Sequence, residues 1–392
     1  MITTLVSAPH ATDAAAISHR PSPIVLLSQS LDLGGSERQL AELAISLDRR
    51  RFEPTVVCFN SRGIRADELR RAGVPVVEFP VRSFVRPGAI ALASRFYAWL
   101  RRHRVAIVHA FDVPTVAFAV PVARAARVPV VLASQRGDRR LFTRAAQRGL
   151  HLTDRLADGV VVNSDYVRRV LVAEFGVRND AIHTCPNGLD LSVFYPTERS
   201  ETEPADPKSP TAGLVVGFVA ALRPEKSVET LIEAFSRLGD RTHRLVIVGD
   251  GPCKSALQTQ ARDLGLEGRC RFVDATTDVA TWYRSFDVFV LPSLNESFSN
   301  SLMEAMACGC AVLASNVGGN PELVSDGANG LLFEPGNVGD LALRLETVLR
   351  NGDVRRRLAT AAVRTIRERY TREASADRFA SLYESLLTES VS

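Results

Sequence analysis

Two glutamates, Glu296 and Glu304, bracket the segment ESFSNSLME, which lies between the apolar run VFVLPS and the small-residue stretch AMACGCAVLAS. Carboxylates act as hydrogen-bond acceptors, as general acids or bases, and as nucleophiles. If the segment is mostly helical, its two end Cα atoms lie about 12 Å apart. Glycosidases that use two carboxyls hold them about 5 to 9.5 Å apart. The spacing therefore favours contacts with the two ends of one extended ligand.

The same segment also has a purely structural interpretation. Ser301 and Glu304 fit the S-x-x-E capping box, in which both side chains bond the backbone at a helix start, and Glu296 would then be solvated. Under the ligand interpretation, the N–H groups of the helix start face an anion such as a phosphate. The sequence leaves both interpretations open.

Two cations, Arg223 and Lys226, follow the apolar run GLVVGFVA and precede a stretch of helical period. A planar guanidinium fork beside an ammonium point charge suits a diphosphate. Cations on the first turn of a helix are common on protein surfaces, but they oppose the helix dipole. This unfavourable placement indicates a bound anion.

Two glycine turns also follow apolar runs. Gly34 and Gly35 precede a helix start near Ser36, where the backbone can approach an anion, although an ordinary turn capped by Ser36 fits equally well. The turn that begins at Gly249 has Lys254 where a dinucleotide fingerprint has its third glycine, and no GxxxxGK[ST] string occurs. The sequence therefore gives little support to NAD or FAD binding and none to a P-loop enzyme.

The elements that would position these residues are short apolar runs that alternate with longer helical stretches. Nearly continuous apolar strands are buried on both faces, as in parallel sheets covered by helices. A Pro-, Ser- and charge-rich stretch separates two groups of such runs. We therefore predict an α/β fold of two doubly wound parallel-sheet domains that face across a cleft. The predicted bounds are a flexible leader (1–22), a first domain (23–195), a linker (196–212) and a second domain (213–372).

The composition is 46% hydrophobic and 23% charged, as in soluble globular proteins. No apolar run in the sequence is long enough to span a membrane. The six cysteines have no zinc-ligand spacing, and this cysteine usage favours a reduced, cytoplasmic compartment. Residues 1–196 contain 26 arginines, no lysine and 17 acidic residues, whereas the remainder contains 22 basic and 27 acidic residues. We expect the basic first half to face something anionic.

One basic stretch of the first half has a helical period. One hypothesis is that this stretch contacts the inner face of a membrane that carries a lipid-linked acceptor. A solvated face on an ordinary helix fits equally well, and Gly149 weakens the helix. The basic residues are Arg136, Arg140, Arg144, Arg148, His151 and Arg155, and the apolar residues expected on the other side are Leu141, Phe142, Ala145, Ala146 and Leu152.

Eight motifs occur in order along the chain: GGSER, VVVNSDYVRR, CPNGLDLSVFYP, LRPEK, VIVGDGP, ESFSNSLME, EAMACGCAVLAS and NVGGNPELVSDGANGLLFEPG. Through these motifs, residues 24 to about 375 resemble the retaining glycosyltransferases of the family-4 type, which have the GT-B fold. The resemblance implies a UDP- or GDP-sugar donor, a sugar or lipid-linked acceptor, and no cofactor, metal ion or nucleic acid. It also implies a role in cell-surface polysaccharide or glycolipid assembly, and a final helix (about 373–392) that packs back on the first domain.

The resemblance assigns roles residue by residue. Glu304 would bind the ribose hydroxyls and Glu296 the sugar, while Arg223 and Lys226 would stabilise the leaving diphosphate. Gly35 would approach the same diphosphate from the facing domain. The other donor-binding residues that it implies are Gly34, Gly249, Ser299, Asn300, Ser301 and Leu302.

Two positions depart from the family pattern. Ala221 stands where an arginine is usual, so we expect Arg223 to substitute for it. Phe111 stands where many members have a second histidine, two residues after the one that matches His109. The sequence leaves open whether His109 or Asp112 acts near the reacting sugar, or whether His109 is a buried residue at a strand end.

Four other functions share parts of this pattern. A nucleotide-sugar epimerase would need no acceptor, and a sugar phosphorylase would need a cofactor lysine or a phosphate site. A non-catalytic nucleotide-sugar binding protein would keep Glu304 without the pair of Arg223 and Lys226. A nucleic-acid-binding protein would show affinity for DNA or RNA that falls steeply with salt.

Overall fold

The computed structural model describes residues 20–32, 34–81, 87–197 and 213–391. The predicted leader and linker lie almost entirely outside these residues. The first sheet has seven parallel strands in the order β3-β2-β1-β4-β5-β6-β7. They are β1 (Ser22–Ser28), β2 (Phe52–Cys58), β3 (Val76–Glu78), β4 (Ile107–Ala110), β5 (Val130–Gln135), β6 (Gly159–Val162) and β7 (Ile182–Thr184).

Helices cover both faces of the first sheet because the strands are apolar on both sides. Along β1, Ile24 and Leu26 pack with one helical layer, while Val25 and Leu27 pack with the other. This burial of alternate residues on opposite faces is what a doubly wound sheet requires. The helices between these strands are α1 (Gly35–Ser46), α2 (Ile64–Arg71), α3 (Pro87–Arg102), α4 (Val113–Ala125), α5 (Arg144–Leu156) and α6 (Asp165–Phe175).

The second sheet has six parallel strands in the order β10-β9-β8-β11-β12-β13. They are β8 (Val215–Val219), β9 (Arg244–Val248), β10 (Cys270–Val273), β11 (Val288–Leu291), β12 (Ala311–Ser315) and β13 (Leu331–Phe333). The helices of this half are α7 (Val228–Ser236), α8 (Lys254–Asp263), α9 (Val279–Ser285), α10 (Asn300–Ala307), α11 (Asn320–Leu323), α12 (Val338–Arg350) and α13 (Gly352–Arg369). The predicted fold class, two doubly wound parallel sheets, is confirmed.

The last helix, α14 (Arg372–Val391), leaves the second half and packs on the first sheet. Ala376, Phe379 and Tyr383 of α14 join the core formed by β1 and α1. Between α13 and α14 the chain therefore returns from the second half to the first, and this return ties the halves together.

Each sheet reverses its strand order at one point, between β1 and β4 in the first and between β8 and β11 in the second. Ligands of open α/β sheets bind outside the carboxyl ends of the strands at such switch points. The loops that follow these four strands, together with the helices α1 and α10, carry most of the residues predicted to bind the donor.

Candidate active site

Glu296 and Lys226 form an ion pair at the switch point of the second sheet. Lys226 ends the 3-10 turn Pro224–Lys226 after β8, and Glu296 lies in the loop after β11. Lys226 Nζ lies 2.5 Å from Glu296 Oε1, and Ser293 Oγ donates a hydrogen bond of 2.7 Å to the same oxygen. The two neighbouring strand ends therefore fix a carboxylate against an ammonium group.

Arg223 lies immediately before the same 3-10 turn, and its side chain is exposed. Its backbone N–H donates to the carbonyl of Ala221 over 3.0 Å. In the part of the chain that the structure describes, the Arg223 guanidinium has no carboxylate partner, whereas Lys226 is held by Glu296. Arg223 is therefore available to an anionic ligand, and its substitution for the usual arginine at Ala221 stays a prediction.

Helix α10 follows β11, and its first residue, Asn300, contacts the first half of the chain. Ser299 Oγ accepts a hydrogen bond of 3.3 Å from Leu302 N, so Ser299 is the cap. The N–H groups of Asn300 and Ser301 have no intrahelical acceptor at this helix start. The capping-box interpretation is wrong, because Ser301 lies inside the helix and the Glu304 carboxylate contacts the other half of the chain instead.

Glu304 pairs with an arginine of the first half. Glu304 Oε1 lies 2.7 Å from Arg38 Nη1 on α1, and both side chains are largely buried. The same guanidinium contacts Glu42 over 3.2 Å and lies 5.1 Å from the centre of the Phe194 ring. Burial disfavours the charge on Arg38, but the carboxylates of Glu304 and Glu42 outweigh burial and raise its pKa. Sequence reasoning missed Arg38, although it lies within the motif GGSER.

The glycine turn after β1 touches the start of α10. Asn300 Nδ2 lies 3.5 Å from the carbonyl oxygen of Gly35, and Asn300 Oδ1 accepts a hydrogen bond of 2.8 Å from Asn187 Nδ2. A Cβ at Gly35 would lie 2.8 Å from Asn300 Nδ2, so a side chain there would displace the amide. Gly34 precedes α1 as its N-cap residue. The structure therefore brings Gly35 and Asn300 together from opposite sides of the cleft.

Two further contacts join the halves beside the cleft. Asn295 Nδ2 donates to Asp138 Oδ2 over 2.5 Å. The Glu322 carboxylate accepts hydrogen bonds from the backbone N–H groups of Asp165, over 3.0 Å, and Tyr166, over 2.7 Å. Because these N–H groups lie at the start of α6, the negative carboxylate meets the positive end of that helix dipole.

Gly249 directly follows β9 with a φ of 149°. A Cβ at this position would lie 2.0 Å from the carbonyl oxygen of Ala220. The close approach of two loop backbones therefore explains the glycine on steric grounds. A donor contact at Gly249 stays a prediction.

His109 lies on β4 and is fully buried. Its Nδ1 is 2.8 Å from Tyr383 Oη on α14, and its Nε2 is 2.8 Å from Ser134 Oγ on β5. Burial, with Arg136 nearby, lowers the pKa of His109 well below its usual value. Both ring nitrogens are engaged in the core, which is the arrangement expected of a buried residue at a strand end. The structure does not place His109 with the other predicted site residues.

Asp112, the alternative to His109, caps α4. Its Oδ1 accepts from Thr115 N over 3.0 Å, and its Oδ2 accepts from Gln29 N over 2.6 Å and from Ser28 Oγ over 3.1 Å. Burial raises the pKa of Asp112. Because both oxygens bond protein groups, Asp112 joins the end of β1 to the start of α4.

The basic stretch predicted to start at Arg136 is not one helix. β5 ends at Gln135, a 3-10 turn covers Arg139–Leu141, and α5 begins only at Arg144. The expected division into a basic and an apolar side is also wrong for two leucines, because Leu141 is 71% exposed and Leu152 is 59% exposed. These leucines share the exposed surface with three arginines of α5: Arg144, Arg148 and Arg155.

No group of three or more His, Cys, Asp or Glu side chains that could share a metal ion occurs among the described residues. Across residues 20–32, 34–81, 87–197 and 213–391, no helix combines the length and apolar character needed to cross a membrane.

The family models agree with this geometry in both halves of the chain. The model described as Glycosyltransferase Family 4 matches residues 33–193, and the model described as Glycosyl transferases group 1 matches residues 199–365. The two parallel sheets and the two family models define the class, a GT-B glycosyltransferase. The chain belongs to family 4 of the glycosyltransferases.

Curated relatives carry more specific names. The chain is 34% identical over 242 residues to D-inositol 3-phosphate glycosyltransferase of Corynebacterium glutamicum (strain R), which covers 58% of this chain and 57% of that protein. The protein of the same name from Saccharomonospora viridis is 32% identical over 240 residues, covering 58% of this chain and 55% of that protein. The matched region therefore spans little more than half the length of these relatives.

A solved structure matches over nearly the whole chain. HepE of Anabaena, in complex with UDP and glucose, has a TM-score of 0.82 and 24% sequence identity, and the match covers 92% of this chain and 99% of that chain. At this identity the likeness supports the fold, and it shows that a protein of this fold holds UDP.

Proposed function

We propose that this protein is a retaining glycosyltransferase that moves a sugar from a nucleoside diphosphate sugar to an acceptor hydroxyl. The observation that carries the proposal is the pairing of Lys226 with Glu296 at 2.5 Å, with the exposed Arg223 three residues away. This group lies at a switch point, where open α/β sheets bind nucleotides. The start of α10, with its unbonded N–H groups, supplies a phosphate site beside it.

The donor would extend along α10. Its diphosphate would accept hydrogen bonds from the N–H groups of Asn300 and Ser301, and Gly35 would face it from the first domain. Its ribose would contact Glu304, whose Oε1 bonds Arg38. Its sugar would contact Glu296. This arrangement uses the two glutamates for two ends of one ligand.

In the reaction, the bond between the anomeric carbon and the diphosphate oxygen breaks while the acceptor oxygen bonds to the same carbon. The products are the glycosylated acceptor, the nucleoside diphosphate and a proton. Negative charge grows on the departing diphosphate, and Arg223 and Lys226 stabilise it. A cation about 4 Å from a phosphate charge contributes about 4 kcal/mol at an effective dielectric near 20. About 1.4 kcal/mol corresponds to a tenfold change in rate, so two cations account for several factors of ten in the rate of transfer. The negative charge of Glu296 offsets part of this effect.

The acceptor would be a sugar or a lipid-linked sugar, bound on the first domain at the inner face of the membrane, with the enzyme in the cytoplasm. The support is the surface formed by Leu141, Arg144, Arg148, Leu152 and Arg155, which we call the α5 surface. Exposed leucines among arginines suit a membrane surface, because its headgroups are anionic and the acyl chains below them are apolar. Assembly of a cell-surface glycolipid or polysaccharide is the function that would use this location.

The test of the proposed function is a thermal-shift screen with UDP-, GDP- and ADP-sugars, followed by NMR of the product formed from the stabilising donor. We expect one donor class to raise the melting temperature and the product to keep the anomeric configuration of the donor. We expect transfer to continue in EDTA. An inverted product, or activity lost in EDTA and restored by Mn²⁺, would contradict the proposal.

A further inference from the structure

Glu42 lies on α1, four residues after Arg38, and the two side chains form a largely buried ion pair. Arg38 Nε donates a hydrogen bond of 3.2 Å to Glu42 Oε1, while Arg38 Nη1 lies 2.7 Å from Glu304 Oε1. The Glu42 side chain is 16% exposed and the Glu304 side chain is 6% exposed. One guanidinium is therefore shared between two carboxylates, one on its own helix and one on the facing domain.

The contact with Glu42 fixes the direction of the Arg38 guanidinium. Glu42 holds its Nε edge, and the centre of the Phe194 ring lies 5.1 Å from the guanidinium carbon. Glu42 is held in turn, because Gln39 Nε2 lies 3.4 Å from its Oε2 and donates a hydrogen bond of 2.9 Å to the carbonyl of Gly188. The orientation of Arg38 therefore depends on Glu42.

Burial and the neighbouring charges make the charge of Glu42 easy to lose near neutral pH. Burial raises the pKa of Glu42 to about 7, although Arg38 on α1 and Arg65 on α2 favour the ionised form. Asp190, in the segment after β7, and Glu304, on α10, raise this pKa further. Glu42 therefore changes its charge between about pH 6 and about pH 8.

Two of these neighbouring groups have other partners. Arg65 Nη1 lies 2.7 Å from Glu68 Oε1 on the same helix, and Asp190 Oδ2 lies 2.6 Å from Arg372 Nη1 on α14. These four residues are not among those predicted to bind the donor. The shared guanidinium, in contrast, contacts the carboxylate predicted to bind the ribose, so Glu42 acts on the donor site through it.

We propose that Glu42 is a positioning residue for the donor, because its ionised carboxylate holds Arg38 so that Glu304 stays available to the ribose. The proposal rests on the proposed function, in which Glu304 accepts hydrogen bonds from the ribose hydroxyls. When Glu42 takes up a proton, it becomes a weaker acceptor for the guanidinium, and the positive charge of Arg38 is balanced by Glu304 alone. Glu304 is then drawn toward Arg38 and binds the ribose less well.

Donor affinity and the charge of Glu42 are linked in both directions. Because the protein with ionised Glu42 binds the donor more tightly, donor affinity rises as the pH increases through the range in which Glu42 loses its proton. For the same reason, donor binding favours the ionised carboxylate, and a fraction of a proton is released on binding near pH 7.

The experiment is calorimetric titration of UDP-, GDP- and ADP-glucose into the full chain at pH 6.0, 7.0 and 8.5, without an acceptor. The diphosphate of these probes is esterified at both ends, whereas the terminal phosphate of a free nucleoside diphosphate titrates at about pH 6. We expect the probe that binds wild type to bind about threefold more tightly at pH 8.5 than at pH 6.0. Titrations at pH 7.0 in PIPES and in MOPS, which have different heats of ionisation, should show proton release.

Glu42→Gln removes the titrating group with little change in side-chain size. This variant should bind the probe at every pH about as weakly as wild type does at pH 6.0, and it should release no proton. Glu233→Gln is the matched control, because Glu233 forms an exposed i,i+4 pair with Arg237 on α7. The control should keep the affinity and the pH dependence of wild type.

Glu42→Asp is a second variant, which keeps the negative charge but shortens the side chain, so that it loses contact with Arg38 Nε. It should bind the probe more weakly than wild type at pH 8.5. If Glu42→Gln melts at a much lower temperature than wild type, Glu42→Asp and the proton release of wild type decide the question.

Three results would overturn the proposal: donor affinity of wild type that does not change with pH, a wild-type pH dependence in Glu42→Gln, or wild-type affinity in Glu42→Asp at pH 8.5. In each of these results a donor still binds, so the proposed function stands. If no probe binds wild type at any pH, the proposed function fails, and the role of Glu42 fails with it.

Discussion

Arg38 Nη1 on the first domain lies 2.7 Å from Glu304 Oε1 on the second, so the residue predicted to hold the ribose is itself held from across the cleft. Only one carboxylate oxygen is used by this contact. Under the proposed function, a ribose hydroxyl would donate to the same carboxylate while the pair with Arg38 stays in place. Arg38 therefore orients Glu304 and at the same time ties the two domains together.

Removing Arg38 should lower both stability and nucleotide affinity. Both side chains of the pair are largely buried, and the loss of one partner from a buried pair costs about 3 kcal/mol. We expect Arg38→Gln to melt at a clearly lower temperature and to bind UDP or GDP about tenfold more weakly. Arg178→Gln, which breaks an exposed pair with Asp180, should change neither property. Tighter nucleotide binding by Arg38→Gln would mean that Arg38 competes with the ribose.

The two cations after β8 should act on the rate of transfer. Arg223→Ala and Lys226→Ala should each lower kcat at least tenfold, because they stabilise charge that grows as the bond breaks. Melting temperatures should stay near that of wild type for Arg223→Ala, whose side chain is exposed. Steady-state kinetics with a saturating donor makes the measurement. Full activity in Arg223→Ala would show that this residue does not substitute for the arginine missing at Ala221.

His109 should make the fold sensitive to acid. The folded state lowers the pKa of His109, so the folded protein disfavours the protonated ring. The free energy of unfolding is therefore highest above about pH 6.5, the pKa of a histidine in the unfolded chain, and falls as the pH drops below that value. We expect the melting temperature of wild type to fall between pH 7.5 and pH 5. His109→Gln should lower stability at pH 7.5 but weaken this pH dependence. His103→Gln, at an exposed histidine, should keep the wild-type slope.

The α5 surface should determine binding to anionic membranes. Replacing Leu141 and Leu152 by serine, or Arg144 and Arg148 by glutamine, should reduce co-sedimentation with vesicles of phosphatidylglycerol and phosphatidylcholine several-fold. The arginine variant should lose the salt dependence of binding, whereas the leucine variant should keep it. Wild-type protein that does not bind these vesicles at low salt would contradict a membrane role for this surface.

The interior strands could be predicted from the sequence, but two edge strands could not. The apolar runs identified in the sequence form strands, and most of these strands are buried on both faces. β7 and β10 were missed because each is only partly buried and includes polar residues, with Arg271 exposed in β10, whereas the edge strands β3 and β13 keep short apolar runs. An edge strand needs no continuous apolar run, so its sequence carries a weaker signal.

Contacts between distant parts of the chain explain the remaining differences. Only the later part of ESFSNSLME is helical, since α10 starts at Asn300, so the estimate of about 12 Å between the glutamate Cα atoms assumed too much helix. The capping-box pattern around Ser301 was misleading because Ser299 caps the helix. The pairing of Glu304 with Arg38 depends on how two domains meet, and no local pattern encodes that relationship.

Glu304 and Glu296 should hold the two ends of one donor. Calorimetric titration of Glu304→Gln and Glu296→Gln with UDP and GDP, beside a transfer assay, tests it most directly. We predict that Glu304→Gln weakens binding of the bare nucleotide about tenfold, because the ribose contact is present before reaction. Glu296→Gln should bind the nucleotide as wild type does, yet transfer sugar at least tenfold more slowly, because the reacting carbon is misplaced. Equal nucleotide affinity in wild type and both variants would contradict the account, since Glu304 would then serve only its pair with Arg38.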